Sequence, residues 1–291
     1  MERALYGPDG FYERGGAAGR RGDFLTSPEV GPLFAEVLLR AIDAWCTPPF
    51  RVIEVGAGTG TLARHLLGLR PGLDLVLVER SATLRRYHAE LGVESRPDLP
   101  PGPIRGVILG NELLDNLPFD LFERRAGSWV ELGVEDLRPD VPAGPRIPMQ
   151  RQAAAFVADA LGRLEAGRLV LIDYADTTES MSRRPWTEWV RTYRAHQRGG
   201  HPLDRPGTQD ITVEVAVDQL DPPPALDRSQ AEFLRAHGID DVAAAARAAW
   251  QERAHIGDLA ALKSRSRVAE AAALTDPRGL GQFRVWEWTV G

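Results

Sequence analysis

Apolar side chains recur with helical spacing near the start of the chain. The stretch opens at Ser27, which suits a helix N-cap, with Pro28 and Glu29 in the first turn. Hydrophobic residues then return every three or four positions, at Val30, Leu33, Phe34, Val37, Leu38, Ala41, Ile42 and Trp45. The pattern predicts one helix over residues 27–45 that packs on a sheet.

Short apolar runs then alternate with helical patterns. Helices are predicted at residues 62–69, 81–91 and 150–164, and Gly167 is typical of the residue that follows a helix end. Nearly continuous runs of Val, Ile and Leu between them predict strands at residues 51–55, 74–79, 105–109 and 168–174. This alternation predicts an α/β fold with a doubly wound, mostly parallel sheet.

The alternation stops after residue 175. Residues 176–210 are polar and rich in arginine, without a clear period. Loops of this length are usually functional, so the segment is predicted to be an inserted lid that meets the substrate. Regular patterns return as a strand at 211–217, helices at 229–237 and 241–255, and a closing strand at 282–290, all within one predicted domain.

Composition narrows the class of protein. Hydrophobic residues make up 43% and charged residues 26% of the 291 residues, as in ordinary globular proteins. No apolar run approaches the roughly 20 residues of a membrane span, and no secretory signal is recognisable. Cys46 is the single cysteine, which argues against a disulfide or a zinc site, and the net charge of −6 argues against nucleic acid. We therefore expect a cytoplasmic protein without a metal, membrane or nucleic-acid partner.

The stretch VIEVGAGTGTL, residues 52–62, carries the strongest chemical signal. A strand, a turn with three glycines and a helix in this order bring backbone close to a nucleotide-like ligand. Gly58 and Gly60 with Ala63 fit the dinucleotide pattern G-x-G-x-x-A. Glu54 with Gly56, Gly58 and Gly60 instead reads E-x-G-x-G-x-G, which suits S-adenosylmethionine.

Two acidic side chains bear on this choice. Glu79, at the end of the second strand, is placed to accept ribose hydroxyls of either cofactor. Glu54 would repel the pyrophosphate of NAD but would attract the ammonium and sulfonium of S-adenosylmethionine. Charge therefore favours the methyl donor.

Ordered sequence blocks resemble the MidA-like family of S-adenosylmethionine-dependent methyltransferases, which includes an enzyme that modifies a protein arginine. The blocks are GDFLTSPE, VIEVGAGTGTL, VLVERSATLRR, GNELLDNLPFDLF, LVLIDYA, PGTQDIT and QAEFL followed by HGI, and they span nearly the whole chain. The resemblance implies a Rossmann-like class I methyltransferase core, with residues 1–27 covering the cofactor.

The resemblance also implies which residues bind S-adenosylmethionine. By their match to the family's motifs, and with Asp98 at the usual adenine position, they are Gly22, Asp23, Phe24, Thr26, Glu54, Gly56, Ala57, Gly58, Gly60, Glu79, Arg80, Asp98, Asn111 and Glu112. The chain departs from the family where Ala175 replaces a glycine after Asp173-Tyr174 and where a G-T-L block is missing before Tyr193. These departures lie on the expected substrate side.

Three functions remain open at this point. Glu112 and Asp115 are three residues apart, so both carboxylates would be able to grip the guanidinium of a protein arginine. Their rival roles are cofactor contact and helix capping. A metabolite hydroxyl or amine would be the alternative acceptor, and a hydroxyl would need a base such as His196 or His201. The third function is a non-catalytic assembly module that keeps the cofactor pocket.

Overall fold

A computed structural model describes residues 1–16, 26–137, 144–194 and 197–291. Its strands are β1 (Arg51–Val55), β2 (Leu75–Val78), β3 (Glu94–Arg96), β4 (Ile104–Asn111), β5 (Asp120–Arg125), β6 (Ser128–Glu131), β7 (Arg146–Met149), β8 (Leu164–Asp173), β9 (Ala175–Asp176), β10 (Val190–Arg194), β11 (Gln197–Arg198), β12 (Asp210–Val213), β13 (Val215–Ala216), β14 (Leu226–Ser229) and β15 (Arg284–Val290). Its α-helices are α1 (Glu2–Tyr6), α2 (Ser27–Val30), α3 (Leu33–Trp45), α4 (Thr61–Leu69), α5 (Ala82–Arg85), α6 (Arg151–Arg163), α7 (Thr178–Ser182), α8 (Trp186–Trp189), α9 (Gln230–Ala236), α10 (Ile239–Arg253) and α11 (Leu259–Thr275).

The central sheet has the strand order β14-β15-β8-β4-β1-β2-β3. The pairs from β8 to β3 are parallel, whereas β15 runs antiparallel to β8, and β14 antiparallel to β15. The prediction of a doubly wound, mostly parallel sheet is confirmed, with an antiparallel edge added at the C-terminal end.

Both faces of this sheet are buried at its centre, which explains why the central strands β1, β2, β4 and β8 are mostly apolar, unlike the edge strands β3 and β14. One face packs on helices α3, α4, α9, α10 and α11, with strand residues such as Val52 and Leu77 in the shared core. The other face packs on α6, with Ile53 and Val76 in the core. Neighbouring residues of one strand thus enter opposite cores, because successive side chains of a β-strand point to opposite faces of the sheet. No helix in the described ranges is long and apolar enough to cross a membrane.

The predictions for residues 27–45 and for Gly167 are wrong. The single helix predicted over 27–45 is divided into α2 and α3, because Pro32 lacks the N–H that a continuous helix would use. Ser27 is the first helical residue of α2 and not its N-cap. Gly167 does not end a helix but lies inside β8 with φ +130°. A Cβ there would lie 1.8 Å from the carbonyl oxygen of Gly106, so the contact between neighbouring strands leaves no space for a side chain.

The segment after residue 175 contains more regular structure than its sequence indicates. Strands β10, β11 and β12 form a small antiparallel sheet, and helices α7 and α8 precede it. The single strand predicted over 211–217 is divided between this sheet and a short pair of β13 with β9. Residues Leu5, Phe11 and Tyr12 of the N-terminal segment share a buried core with Trp189 and Ile211. A lid function for residues 176–210 stays a prediction.

Candidate active site

A cavity of about 450 Å³ opens at the carboxyl ends of β1, β2 and β4. Ligands of open α/β sheets bind at this edge. Ten of the residues predicted to bind the cofactor line the cavity, namely Thr26, Glu54, Gly56, Ala57, Gly58, Glu79, Arg80, Asp98, Asn111 and Glu112. Gly60 and Asp115 lie outside the lining, and Gly22, Asp23, Phe24 and His196 fall outside the described residues. The other predicted base, His201, packs edge-on against Trp186 and does not line the cavity.

The turn between β1 and α4 presents bare backbone to the cavity. Gly58 has φ +55°, and a Cβ built on it would meet no heavy atom within 4 Å. A larger side chain at this position would therefore project into space that a ligand can use, in a conformation that only glycine adopts readily. The turn thus provides the close backbone approach that its sequence predicts.

Glu54 supplies an acidic group with unfilled hydrogen-bonding capacity. Its side chain is 6% exposed and lines the cavity, and its Oε2 atom has no hydrogen-bond partner among the described residues. Burial raises the pKa of Glu54 to about 8, and the neighbouring Glu79 adds to the shift. A buried carboxylate of this kind destabilises the fold unless a hydrogen-bond donor or a cation pairs with it. The ammonium of S-adenosylmethionine fits this requirement.

Glu79 holds the glycine turn and the following segment together. Its Oε2 accepts the Gly58 N–H at 2.9 Å and its Oε1 accepts the Ser81 N–H at 2.8 Å. Each carboxylate oxygen has a second acceptor site, which leaves capacity for ribose hydroxyls. Arg80 is paired with Glu2, and its guanidinium lies 4.5 Å from the centre of the Tyr6 ring. The cavity wall is therefore tied to helix α1.

Glu112 occupies a strained position directly after β4. Its φ is +51°, and its N–H donates to the Ile172 carbonyl at 2.7 Å, which anchors the turn to β8. The side chain lines the cavity and accepts a bond from Asn111 Nδ2 at 3.1 Å. Burial and the charge of Asp115 raise the pKa of Glu112 to about 8. Near neutral pH this carboxyl therefore keeps its proton until a cation approaches.

Asp115 lies behind the cavity wall. Its Oδ2 accepts the Tyr174 hydroxyl at 2.5 Å, whereas Oδ1 is buried without a partner among the described residues. Burial raises the pKa of Asp115 to about 6. Asp173 accepts the N–H groups of Leu114 and Asp115 at 2.9 and 3.1 Å and so fixes the turn that carries both predicted catalytic acids.

Asn116 is a site residue that sequence reasoning missed. It lines the cavity, and its Oδ1 accepts the Tyr12 hydroxyl at 2.9 Å. Its Nδ2 donates to Asp210 at 3.2 Å and to the Ile211 carbonyl at 3.2 Å. Burial and the charge of Asp115 raise the pKa of Asp210 to about 7. The polar run NELLDN marks Asn116 as a candidate, but the residues that bond to Asn116 lie 94 or more positions away in the sequence.

Comparisons with known proteins agree with this geometry. The family model described as "Putative S-adenosyl-L-methionine-dependent methyltransferase" matches residues 33–140 and 134–222. The mitochondrial protein arginine methyltransferase NDUFAF7 of Mus musculus is 35% identical over 76% of this chain and 64% of its own length. Its Danio rerio counterpart is 25% identical over 76% of this chain and 66% of its own length. The chain thus spans slightly less than two thirds of the length of each of these two relatives.

A solved structure extends the similarity to the whole fold. A candidate methyl transferase from Burkholderia thailandensis, bound to S-adenosyl-homocysteine, is 30% identical with a TM-score of 0.79. The match covers 99% of this chain and 86% of that one. The names of the curated relatives contradict the expected cytoplasmic location, because those proteins are mitochondrial.

Proposed function

We propose that this chain, which belongs to the family of S-adenosyl-L-methionine-dependent methyltransferases, methylates an arginine side chain of another protein. S-adenosylmethionine is the cofactor, and it supplies a methyl group on a positively charged sulfur. Among the residues of the cavity, Glu54 would hold the ammonium of this cofactor and Glu79 its ribose. The glycine turn would approach it through bare backbone.

The acceptor is inferred from one observation, the ionisable carboxyl of Glu112 on the cavity wall with a second acid behind it. Burial raises the pKa of both Glu112 and Asp115, and the charge of Asp115 adds to the shift at Glu112. A cation bound here would stabilise their ionised forms through its charge, whereas a neutral hydroxyl would offer only a hydrogen bond. A guanidinium matches the fork geometry of a carboxylate.

The residues of this chain would contribute orientation and a proton acceptor. Glu112 would align one guanidinium nitrogen, which forms its bond to the methyl carbon as the carbon–sulfur bond breaks and the sulfur keeps the electron pair. The methylated guanidinium must then lose one proton to remain singly charged. The Glu112 carboxylate would accept this proton, and its pKa of about 8 suits that task.

The named relatives support the same acceptor class. The proteins from Mus musculus and Danio rerio are protein arginine methyltransferases. The chain spans less than two thirds of their length, and we propose the same class of acceptor for it. Ala175 lies in β9, and the other departure precedes Tyr193 of β10. Strand β12, which pairs with β10, contacts the acceptor turn where Asp210 and Ile211 accept hydrogen bonds from Asn116, so these departures favour a different protein substrate of the same class.

Methyl-labelled S-adenosylmethionine tests the proposal. The purified chain is incubated with extract proteins and, separately, with extract metabolites, and the labelled products are hydrolysed and identified by mass spectrometry. We expect labelled methylarginine in the protein fraction. Label confined to a metabolite oxygen or nitrogen would establish the alternative acceptor. Tight S-adenosylhomocysteine binding without labelled product in either fraction would instead indicate an assembly module.

A further inference from the structure

His88 lies directly beneath the glycine turn. It belongs to a 3-10 turn over Arg86–Leu91 and is 1% exposed, yet it does not line the cavity. Its two ring nitrogens have well-defined partners. Nε2 lies 2.9 Å from the Gly58 carbonyl oxygen, and Nδ1 lies 2.8 Å from Ser95 Oγ.

These contacts fix the proton of the ring. A carbonyl oxygen can only accept, so Nε2 must carry the hydrogen and donate it. Nδ1 then accepts the Ser95 hydroxyl, and the neutral ring satisfies both partners. Burial lowers the pKa of His88, in agreement with a neutral ring.

The N–H group of Gly58 is also hydrogen-bonded. The Gly58 N–H donates to Glu79 at 2.9 Å, so a carboxylate and an imidazole hold the two backbone polar groups of one glycine. Nearby, a Cβ on Gly60 would lie 2.9 Å from Leu91 and 3.3 Å from the His88 ring. The turn is therefore seated on the surface formed by His88 and Leu91.

We propose that His88 is a positioning residue for cofactor binding. It touches no cofactor but orients the Gly58 peptide groups, so that the turn is already arranged when the cofactor arrives. A turn without this hydrogen bond would sample other conformations, and binding would have to order it at a cost in affinity. This role concerns the cofactor alone and does not depend on the identity of the methyl acceptor.

The test compares His88→Ala, His88→Gln and the control His65→Ala by S-adenosylhomocysteine calorimetry and thermal unfolding. His65 is a half-buried histidine on α4 outside the cavity lining. Loss of one hydrogen bond predicts roughly three- to tenfold weaker binding for His88→Ala. His88→Gln should recover most of the affinity, because its amide N–H can donate from the position of Nε2. His65→Ala should bind as the unchanged protein does, whatever its melting temperature.

Two further readouts separate positioning from general stability. In a methylation assay, His88→Ala should raise the KM for S-adenosylmethionine and leave kcat at saturating cofactor nearly unchanged. Nitrogen NMR of the unchanged protein should show His88 as the neutral Nε2–H tautomer at pH 7. Unaltered affinity in His88→Ala, equal loss in His88→Gln and His88→Ala, or the Nδ1–H tautomer would overturn the proposal.

Discussion

The two halves of the cavity, which we assign to the cofactor and to the methyl acceptor, are built in different ways. The cofactor half consists of Glu54, the turn 56–60 and Glu79, all within 26 residues of sequence. The acceptor half consists of the turn 111–116, with Tyr12, Tyr174 and Asp210 contributed from distant parts of the chain.

The two halves also differ in how their polar groups are paired. In the cofactor half, an unpartnered carboxylate oxygen and bare backbone await a ligand of fixed chemistry. In the acceptor half, Tyr12, Tyr174 and Asp210 already bond to the turn, although Asn111 Oδ1 and Asp115 Oδ1 have no partner among the described residues. Burial raises the pKa values of Glu112, Asp115 and Asp210 to between about 6 and about 8. We expect changes in the first half to alter cofactor affinity and changes in the second to alter turnover.

Filling the cofactor half should have the largest effect. Gly58→Leu should weaken S-adenosylhomocysteine binding by more than roughly 100-fold, because the side chain would occupy the open space above the turn. Gly72→Leu is the matched control, since Gly72 has φ +82° with nothing near its Cβ and lies outside the cavity lining. Both variants place a leucine at a positive φ, so equal losses of affinity would contradict the assignment.

Removing the charge of the second acid should reduce turnover next most strongly. Asp115→Asn should lower kcat by roughly tenfold to 100-fold, the equivalent of one charge-assisted hydrogen bond. If Asp115 and Glu112 act on the same cation, the double variant Asp115→Asn with Glu112→Gln should lose less than the sum of the two single losses in free energy. Strict additivity in this cycle would show that Asp115 only supports the turn.

The charge of Glu54 should make cofactor binding depend on pH. Binding a cation ionises Glu54, whose pKa is about 8, so affinity should rise about tenfold per pH unit below pH 8 and then level off. S-adenosylhomocysteine affinity is measured by calorimetry from pH 6 to 9 for the unchanged protein and for Glu54→Gln. Because the ligand titrates equally in both series, the difference between the two profiles isolates the contribution of Glu54. A Glu54→Gln profile parallel to that of the unchanged protein would remove Glu54 from the ammonium site.

The raised pKa of Glu54 also lowers the stability of the folded protein as the pH rises. A carboxyl whose folded pKa is raised stabilises the fold below its unfolded pKa of about 4.5 and loses that contribution as pH rises toward 8. Glu54→Gln should therefore increase the melting temperature, and by more at pH 8 than at pH 5. A melting temperature equal to that of the unchanged protein at both pH values would show that Glu54 is not an uncompensated buried acid.

The smallest effect should come from the hydrogen bonds that join the N-terminal segment to the acceptor half. Tyr12→Phe removes the hydroxyl shared by Asn116 and Asp210, and one such bond contributes about 0.5–1.5 kcal/mol. The KM for the acceptor should rise a few-fold while S-adenosylhomocysteine affinity is retained. The exposed Tyr87 offers the control Tyr87→Phe. A selective loss of cofactor affinity would instead place Tyr12 in the cofactor half.

The difference between the two halves also explains how far sequence reasoning reached. Strands β1, β2, β4 and β8 and the acids Glu54 and Glu79 followed from local patterns, because a strand, a turn and the next residue fix their positions. Asn116 and Asp210 did not, because their roles depend on partners far along the chain. Gly167 was misassigned for a similar reason, since the nearby Gly106 backbone belongs to another strand.

Glu112→Gln tests the central claim most directly, with S-adenosylhomocysteine affinity and single-turnover methylation of an arginine acceptor measured on the same preparation. The amide keeps the shape of the neutral carboxyl but cannot ionise to hold a cation. We expect affinity within a few-fold of that of the unchanged protein and turnover lowered by roughly tenfold to 100-fold. Equal losses of affinity and turnover would place Glu112 in the cofactor half, and full activity on arginine would contradict the account.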